Sequence, residues 1–538
     1  MSKFKNCIIY LVDSLRFDAY ENSPFHKKGL LEKLGVADEL ETPSLNHLSK
    51  EGTEIPELHS PYTSTPPAVA SLLSGRYPRE HGMYGFQRPL FSGIKTLPQI
   101  FQQNGYKTLL FNGIQLFKHN GIADRFDRWL KGPPDRLIKE IKRYNRKGEQ
   151  VFAYFHTMDV HHPYLLSHYP PDKDFHRPAI KKGNQLARKL GYDYKFKPGD
   201  AYTVGSEDDI PYYCGGEQLL WKFLKTSYHI RIKKEQKIEN PLKFTARWYV
   251  EGVNNFDQNH LKRVIDFLED EEDENLFVLT ADHGETIRQA ADLLGFEHSF
   301  KPNQDLIRVP GFIYPKDLSE IEGQSLTSLV DIAPTVTGLA DLEADSTSFS
   351  GYNLLHSLPI NRRIFSEYSD DIEHEEENLF PRSAYLKWHC ILTDDGYKFT
   401  RAGTGLTEAD YSLEPEEFVR RVILKVAFEP PEEALLNKML RSLGESPDIR
   451  AKKKFAEQIK AKIRGWEPSL VKWRKDHFER VNLLRQNNPE YIKTAHKLEE
   501  ELLERFEDPL DIEDQETDTL RENEEEELKE ALEDLGYL

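Results

Sequence analysis

The 538-residue chain carries 91 acidic against 72 basic residues, a formal net charge of −19, with 38% hydrophobic and 11% aromatic residues. Such a composition buries a sizeable core and excludes a disordered chain, and the acidic balance excludes a general grip on nucleic-acid backbone. Three cysteines, Cys7, Cys214 and Cys390, lack CxxC or zinc-finger spacing and read as buried thiols in a reducing compartment. Residues 6–12 (NCIIYLV) form a short β-branched run that ends in Asp13, too short for a signal peptide and suited to a central parallel strand. A helix follows at PPAVASLLSG, and residues 105–113 read as helix end, strand and turn. Residues 150–158 (QVFAYFHTM) form another buried strand, and residues 165–245, polar and aperiodic, form an insertion over the sheet edge.

Beyond the insertion, residues 254–270 have helical spacing at Phe256, Leu261, Val264, Ile265 and Leu268. Strands follow at 276–280 and 308–314, and an amphipathic helix at 325–340. Alternating strands and helices imply an α/β fold with a mostly parallel sheet covered on both faces. From about residue 361, RRIFSEYS and WHCILTDDGYKFTRA imply a small antiparallel unit with a DDG turn. The expected organisation is a catalytic domain at 1–345, an antiparallel subdomain at 346–415 and a charged helical extension at 416–538. No segment reaches the roughly 20 apolar residues of a membrane span, so a cytoplasmic protein with no membrane and no nucleic-acid partner is expected. The acidic end of the extension reads as a solvated helix face.

Ligands of an open parallel sheet lie beyond the carboxyl ends of its strands. Three predicted strands run there into suitable chemistry: Asp13-Ser14-Leu15-Arg16, Asp159-Val160-His161-His162-Pro163-Tyr164 and Asp282-His283-Gly284-Glu285. Each has a plainer reading alone, since an Asp after a strand commonly caps a helix. Together they suggest carboxylates and imidazoles converging on one divalent cation.

In order, IIYLVDSLR, TPPAVASLLSGRYPREHG, MDVHHPY, VLTADHGE, HSFKPNQDLIRVPGFIY and SLVDIAPTV resemble the sulfatase family of the alkaline phosphatase superfamily over roughly residues 5–345. The resemblance implies a three-layer sandwich with a small antiparallel C-terminal sheet, here followed by the helical extension. It implies metal ligands at Asp13, Asp282 and His283, a substrate-contacting His161, and His298 near the transferred group. Arg16 matches the Arg of the first motif, with the expected role of orienting the nucleophile; Arg308 is expected to be structural.

The chain departs from that family at the nucleophile. No cysteine begins the C/S-x-P-x-R element whose first residue matures to formylglycine. Counting back from LLSG places Thr65 at the nucleophile position; reading from the front places Ser64 there, with one extra residue before LLSG. The first register needs no insertion and is preferred. Either register lacks the motif Arg, replaced by Val69 or Ala68, and Asn112, Gly113 and Gln115 stand where the family carries a Lys and a His.

A threonine cannot become formylglycine, but its alkoxide can attack phosphorus. The expectation is one divalent metal ion, Mn²⁺ or Zn²⁺ in preference to Ca²⁺ or Mg²⁺, held by Asp13, Thr65, Asp282 and His283. Thr65, His161, His298 and Arg16 then act on a small anionic ester, a phosphate or phosphonate mono- or diester. The alternatives are sulfate-ester hydrolysis through the Ser64 or Thr65 position, and a degenerate, non-catalytic binding protein.

Overall fold

The computed structural model describes residues 4–85, 88–114, 116–161, 241–270, 275–287, 301–315, 321, 325–344, 348–369, 388–402 and 468–506, together with the two-residue strands Ser167–His168, Thr203–Val204 and Tyr212–Tyr213. Seven strands build the main sheet: β1 (Asn6–Val12), β2 (Thr53–Glu54), β3 (Lys107–Asn112), β4 (Arg128–Leu130), β5 (Val151–Thr157), β6 (Asn275–Thr280) and β7 (Gly311–Tyr314). Their spatial order is β2-β7-β6-β1-β5-β3-β4. β1 pairs in parallel with both β6 and β5, and β3 pairs in parallel with β5 and β4. Only the β7 edge is antiparallel, to β6 and to β2. β1, β5 and β6 are buried throughout, which is why they read as continuous apolar runs rather than alternating ones.

The period of two along β5 separates the helical layers. Phe155 stacks on Tyr10 at 4.6 Å, and Tyr10 meets Phe256 at 6.1 Å, so that face carries α5 (Pro241–Asn255), the π-helical turn Phe256–Leu261 and α6 (Lys262–Asp270). α1 (Pro43–Glu51) and α4 (Pro134–Asn145) pack with them. Phe152, on the opposite face, stacks on Phe101 of α3 (Leu97–Gln103) at 4.3 Å. α2 (Thr65–Ser74) packs between α3 and α7 (Ile332–Leu339) in that second layer and is buried at every residue.

The second sheet is antiparallel: β8 (Arg363–Tyr368), β9 (Trp388–Thr393), β10 (Tyr397–Ala402) and β11 (Ser469–Lys472). Its last strand corrects the expected boundary, because β11 lies inside the stretch read as a charged helical extension. Four residues of SLVK are too short a signal to stand out among so many charges, and pairing with β10 decides their conformation. α8 (Pro489–Phe506) then packs on β9 and β10. Two other readings shift: the helix at 325–340 is a short strand, a 3₁₀ turn and α7, and the helix at 254–270 is the end of α5, the π turn and α6. Apart from Ser167–His168, Thr203–Val204 and Tyr212–Tyr213, residues 165–240 of the expected insertion lie outside the described residues, as do residues 403–467 and 507–538.

Candidate active site

Three strand ends of the main sheet meet the N-terminus of α2. Asp13 follows β1, and its backbone N–H donates to the Thr157 carbonyl at the end of β5. Ser14 takes a left-handed conformation, φ 63°, uncommon for a residue with a Cβ. That turn aims its N–H at Asp282 Oδ1 (3.3 Å) while its hydroxyl donates to Asp13 Oδ1 at 3.0 Å. Tyr249 of α5 holds the turn from behind, donating to the Ser14 carbonyl and accepting from the Arg16 N–H. Asp282 and His283 follow β6, and Gly284 is required there: a Cβ would sit 2.1 Å from the Asp305 carbonyl oxygen.

Asp13, Asp282 and His283 are fully buried, and one potential ligand atom from each lies within 4.8 Å of the others. The Thr65 hydroxyl donates to Asp13 Oδ2 at 3.1 Å and lies 3.3 Å from His283 Nε2. His283 Nδ1 is 2.8 Å from the Gly284 carbonyl, which fixes the hydrogen on Nδ1 and turns the Nε2 lone pair toward the carboxylates. Asp282 Oδ2 makes no hydrogen bond of ordinary geometry among the described residues. Two carboxylates, one oriented imidazole and a hydroxyl, all buried, form a donor set that fits a divalent cation.

The electrostatics agree with that fit. Burial pushes Asp282 up, and the charge of Asp13 pushes it further. Burial acts the same way on Asp13, but His161, His156 and His283 together hold it well below the usual carboxylate range. Burial opposes protonation of His283, yet Asp282 and Asp13 raise it above its ordinary value. A cation bound here would relieve the repulsion between the two carboxylates.

His161 is buried beside this cluster. Ser64 is the N-cap of α2, and its buried hydroxyl has no hydrogen-bond partner among the described residues. Pro66 and Pro67 remove two N–H donors from that terminus, so it offers an anion less than a free helix end does. The Arg16 side chain is engaged elsewhere than at Thr65. Its guanidinium bonds Asp18 (2.8 and 3.0 Å), Asp305 (3.1 Å) and the Glu285 carbonyl, so it ties the first motif to the DHGE turn instead of reaching Thr65. Arg308 lies over Phe25 at 4.2 Å and Phe17 at 5.3 Å, as a structural residue does. Asn112 is clasped to the Gly132 backbone in both directions. His298 lies outside the described residues.

Sequence reading missed Tyr154 and His156, which stand behind Asp13, and Ser14 and Tyr249, which shape its turn. A histidine inside a strand buried on both faces was the available signal, since a buried polar ring demands a partner.

Residues 5–342 match the sulfatase family, and the chain belongs to it: the protein is a hydrolase of ester bonds with the sulfatase fold. It is 22% identical over 458 residues to the uncharacterized sulfatase YidJ of Escherichia coli (strain K12), covering 81% of this chain and 86% of that one. It is 25% identical over 336 residues to the low-salt glycan biosynthesis sulfotransferase Agl7 of Haloferax volcanii, covering 62% and 60%. A protein solved in complex with its substrate D-glucosamine-2-N,6-O-disulfate superposes with a TM-score of 0.56 at 15% identity, over 96% of this chain and 100% of that one. The phosphonate monoester hydrolase of Agrobacterium radiobacter superposes with a TM-score of 0.50 at 15% identity, over 93% and 95%.

Proposed function

We propose that the protein hydrolyses phosphate or phosphonate esters through a covalent intermediate on Thr65. The observation that carries this reading is the Thr65 hydroxyl, 3.1 Å from Asp13 and 3.3 Å from His283; Thr65 is the residue that the preferred register matches to the family's nucleophile. Asp13, Asp282, His283 and the Thr65 oxygen are the residues that would hold one divalent cation, Mn²⁺ or Zn²⁺ by the mixture of carboxylate and imidazole. When bound, the cation supplies charge that lowers the pKa of the hydroxyl and neutralises the ester's non-bridging oxygens.

The Thr65 hydroxyl donates to Asp13 Oδ2, which would take its proton as Thr65 attacks. Thr65 Oγ1 then bonds to phosphorus as the bond to the leaving oxygen breaks. His161, buried beside Asp13, would hydrogen-bond the transferred group or protonate that leaving oxygen, with His298 as its proposed counterpart. Water attacks phosphorus in the second step, and Thr65 leaves with its hydroxyl restored.

The test is turnover of p-nitrophenyl phosphate, bis-p-nitrophenyl phosphate, p-nitrophenyl phenylphosphonate and p-nitrophenyl sulfate by metal-loaded protein, with Thr65→Ala and Ser64→Ala alongside. Turnover of a phosphorus ester that disappears with Thr65→Ala and persists in Ser64→Ala is the expected result. Sulfate turnover that disappears with Ser64→Ala overturns the Thr65 reading.

A further inference from the structure

Tyr154 and His156 occupy alternate positions of β5, so both side chains leave the sheet on the face that α2 and α3 cover. Both are wholly buried. The Tyr154 hydroxyl lies 3.1 Å from His156 Nδ1, and His156 Nε2 lies 3.1 Å from Asp13 Oδ2. That same carboxylate oxygen receives the Thr65 hydroxyl. Phe117 meets the imidazole edge-on with ring centroids 5.5 Å apart, and Phe126 packs against Tyr154 at 6.3 Å. The chain Tyr154–His156–Asp13–Thr65 is therefore continuous, walled by aromatic rings and closed to solvent.

A carboxylate offers only lone pairs, so the hydrogen on this contact belongs to His156 Nε2, and the Tyr154 hydroxyl fixes the other ring nitrogen. Burial, with the charges of Asp282 and Asp13, pushes the Tyr154 phenol well above its usual range and keeps it a donor. Two aromatic polar groups buried in a strand carry a desolvation cost that apolar side chains of similar volume would not. They recover it through bonds that end on one oxygen of a proposed metal ligand.

We propose that His156, locked by Tyr154, is a positioning residue that holds the Asp13 carboxylate in the orientation needed by both the cation and Thr65. The inference rests on the metal-binding part of the reading above. Outer partners of this kind set metal affinity because an unrestrained ligand must be ordered at each binding event.

The test uses full-length protein stripped with a chelator, titrated with Mn²⁺ by calorimetry, for wild type, His156→Phe, His156→Gln and Tyr154→Phe. The expected loss of Mn²⁺ affinity is about 10- to 100-fold for His156→Phe, as for other outer-shell partners of metal ligands. His156→Gln, whose amide N–H reaches the same oxygen, restores most of it, and Tyr154→Phe loses a smaller factor. In turnover, His156→Phe lowers kcat more than it raises KM when Mn²⁺ is saturating. Should His156→Phe fail to fold, Tyr154→Phe decides, because it removes one oxygen and its metal-free melting temperature verifies the fold. Wild-type Mn²⁺ affinity in the folded variants overturns this inference alone. Failure of wild type to bind Mn²⁺ overturns the metal reading and this inference with it, whereas Mn²⁺ binding without phosphorus-ester turnover leaves the inference standing and sinks the proposed activity.

Discussion

Asp282 carries the strongest conflict at the level of single residues. It is buried against a second carboxylate, which disfavours its charge, yet its Oδ2 faces the point where Asp13 and His283 converge. Such a group gains more from a cation than from any rearrangement of its neighbours. Added Mn²⁺ should raise the melting temperature of the wild-type protein, by an amount corresponding to about 2.7 kcal/mol at a hundredfold excess over the dissociation constant. Asp282→Asn should abolish that shift while melting at a similar or higher temperature without metal, since it removes one of two facing charges. A Mn²⁺-dependent shift that survives in Asp282→Asn would sink the proposed ligand set.

Among the elements, α1 depends on a residue far away in sequence. Its N-cap Thr42 makes no side-chain cap, and Pro43 has no N–H to satisfy. Asp257, in the π turn, caps it instead, accepting from the Ser44 N–H at 2.9 Å and the Leu45 N–H at 2.7 Å. The same turn places His260 Nδ1 2.5 Å from Asp159 Oδ2, bracing the loop that carries His161. Asp257→Ala should cost on the order of 1–3 kcal/mol in denaturant unfolding, because it strands buried donors.

Burial pushes Asp257 up to about 6 even though the amide donors pull it down. Between the unfolded value near 4 and that folded value, the native protein holds a proton that the unfolded chain has released. This carboxyl therefore makes the fold less stable as pH rises through that window, by at most roughly 3 kcal/mol. Comparing denaturation midpoints at pH 4.5 and pH 7, Asp257→Asn should lose less stability across the interval than wild type does. An equal loss in both would show that the group titrates normally.

At the scale of the whole molecule, long-range bonds tie the small sheet to the segments that carry Thr65 and the DHGE turn. The Pro61 carbonyl accepts from the Glu367 N–H, and the Tyr62 hydroxyl donates to the Ser369 carbonyl at 2.7 Å, three residues before Thr65. On the other side, buried Lys398 of β10 pairs with Glu479 at 2.5 Å and donates to the Pro302 carbonyl. Glu479 also accepts from the Gln304 N–H at 2.8 Å. The next residue, Asp305, bonds Arg16 and packs its carbonyl against Gly284, so the tie reaches the DHGE turn. Lys398→Ala should cost about 3–5 kcal/mol, the penalty for leaving a buried charge without its partner. It should also lower kcat, although Lys398 contacts none of the proposed metal ligands. Full activity in a measurably destabilised Lys398→Ala would confine the tie to stability.

The alternation of apolar runs with helical spacing determined the α/β class, since burial on both faces leaves no other pattern for a central parallel strand. Polar residues at strand ends likewise pointed to Asp13 after β1 and to Asp282 and His283 after β6, because a parallel sheet delivers all its carboxyl ends to one edge. The expectation at Thr65 came from its distance to LLSG, which a regular helix preserves, and its hydroxyl lies 3.1 Å from Asp13. What local pattern could not contain was decided by long-range contact. β11 is a strand because β10 pairs with it, Asp257 caps a helix more than two hundred residues earlier, and Arg16 turns to Asp18 and Asp305 rather than to Thr65. His156 reads in sequence as one polar letter in an apolar strand, and its bond to Asp13 exists only because β5 lies beside β1. Periodicity and strand-end chemistry are properties of a segment and survive in one dimension; a hydrogen-bond partner is a property of the packed sheet.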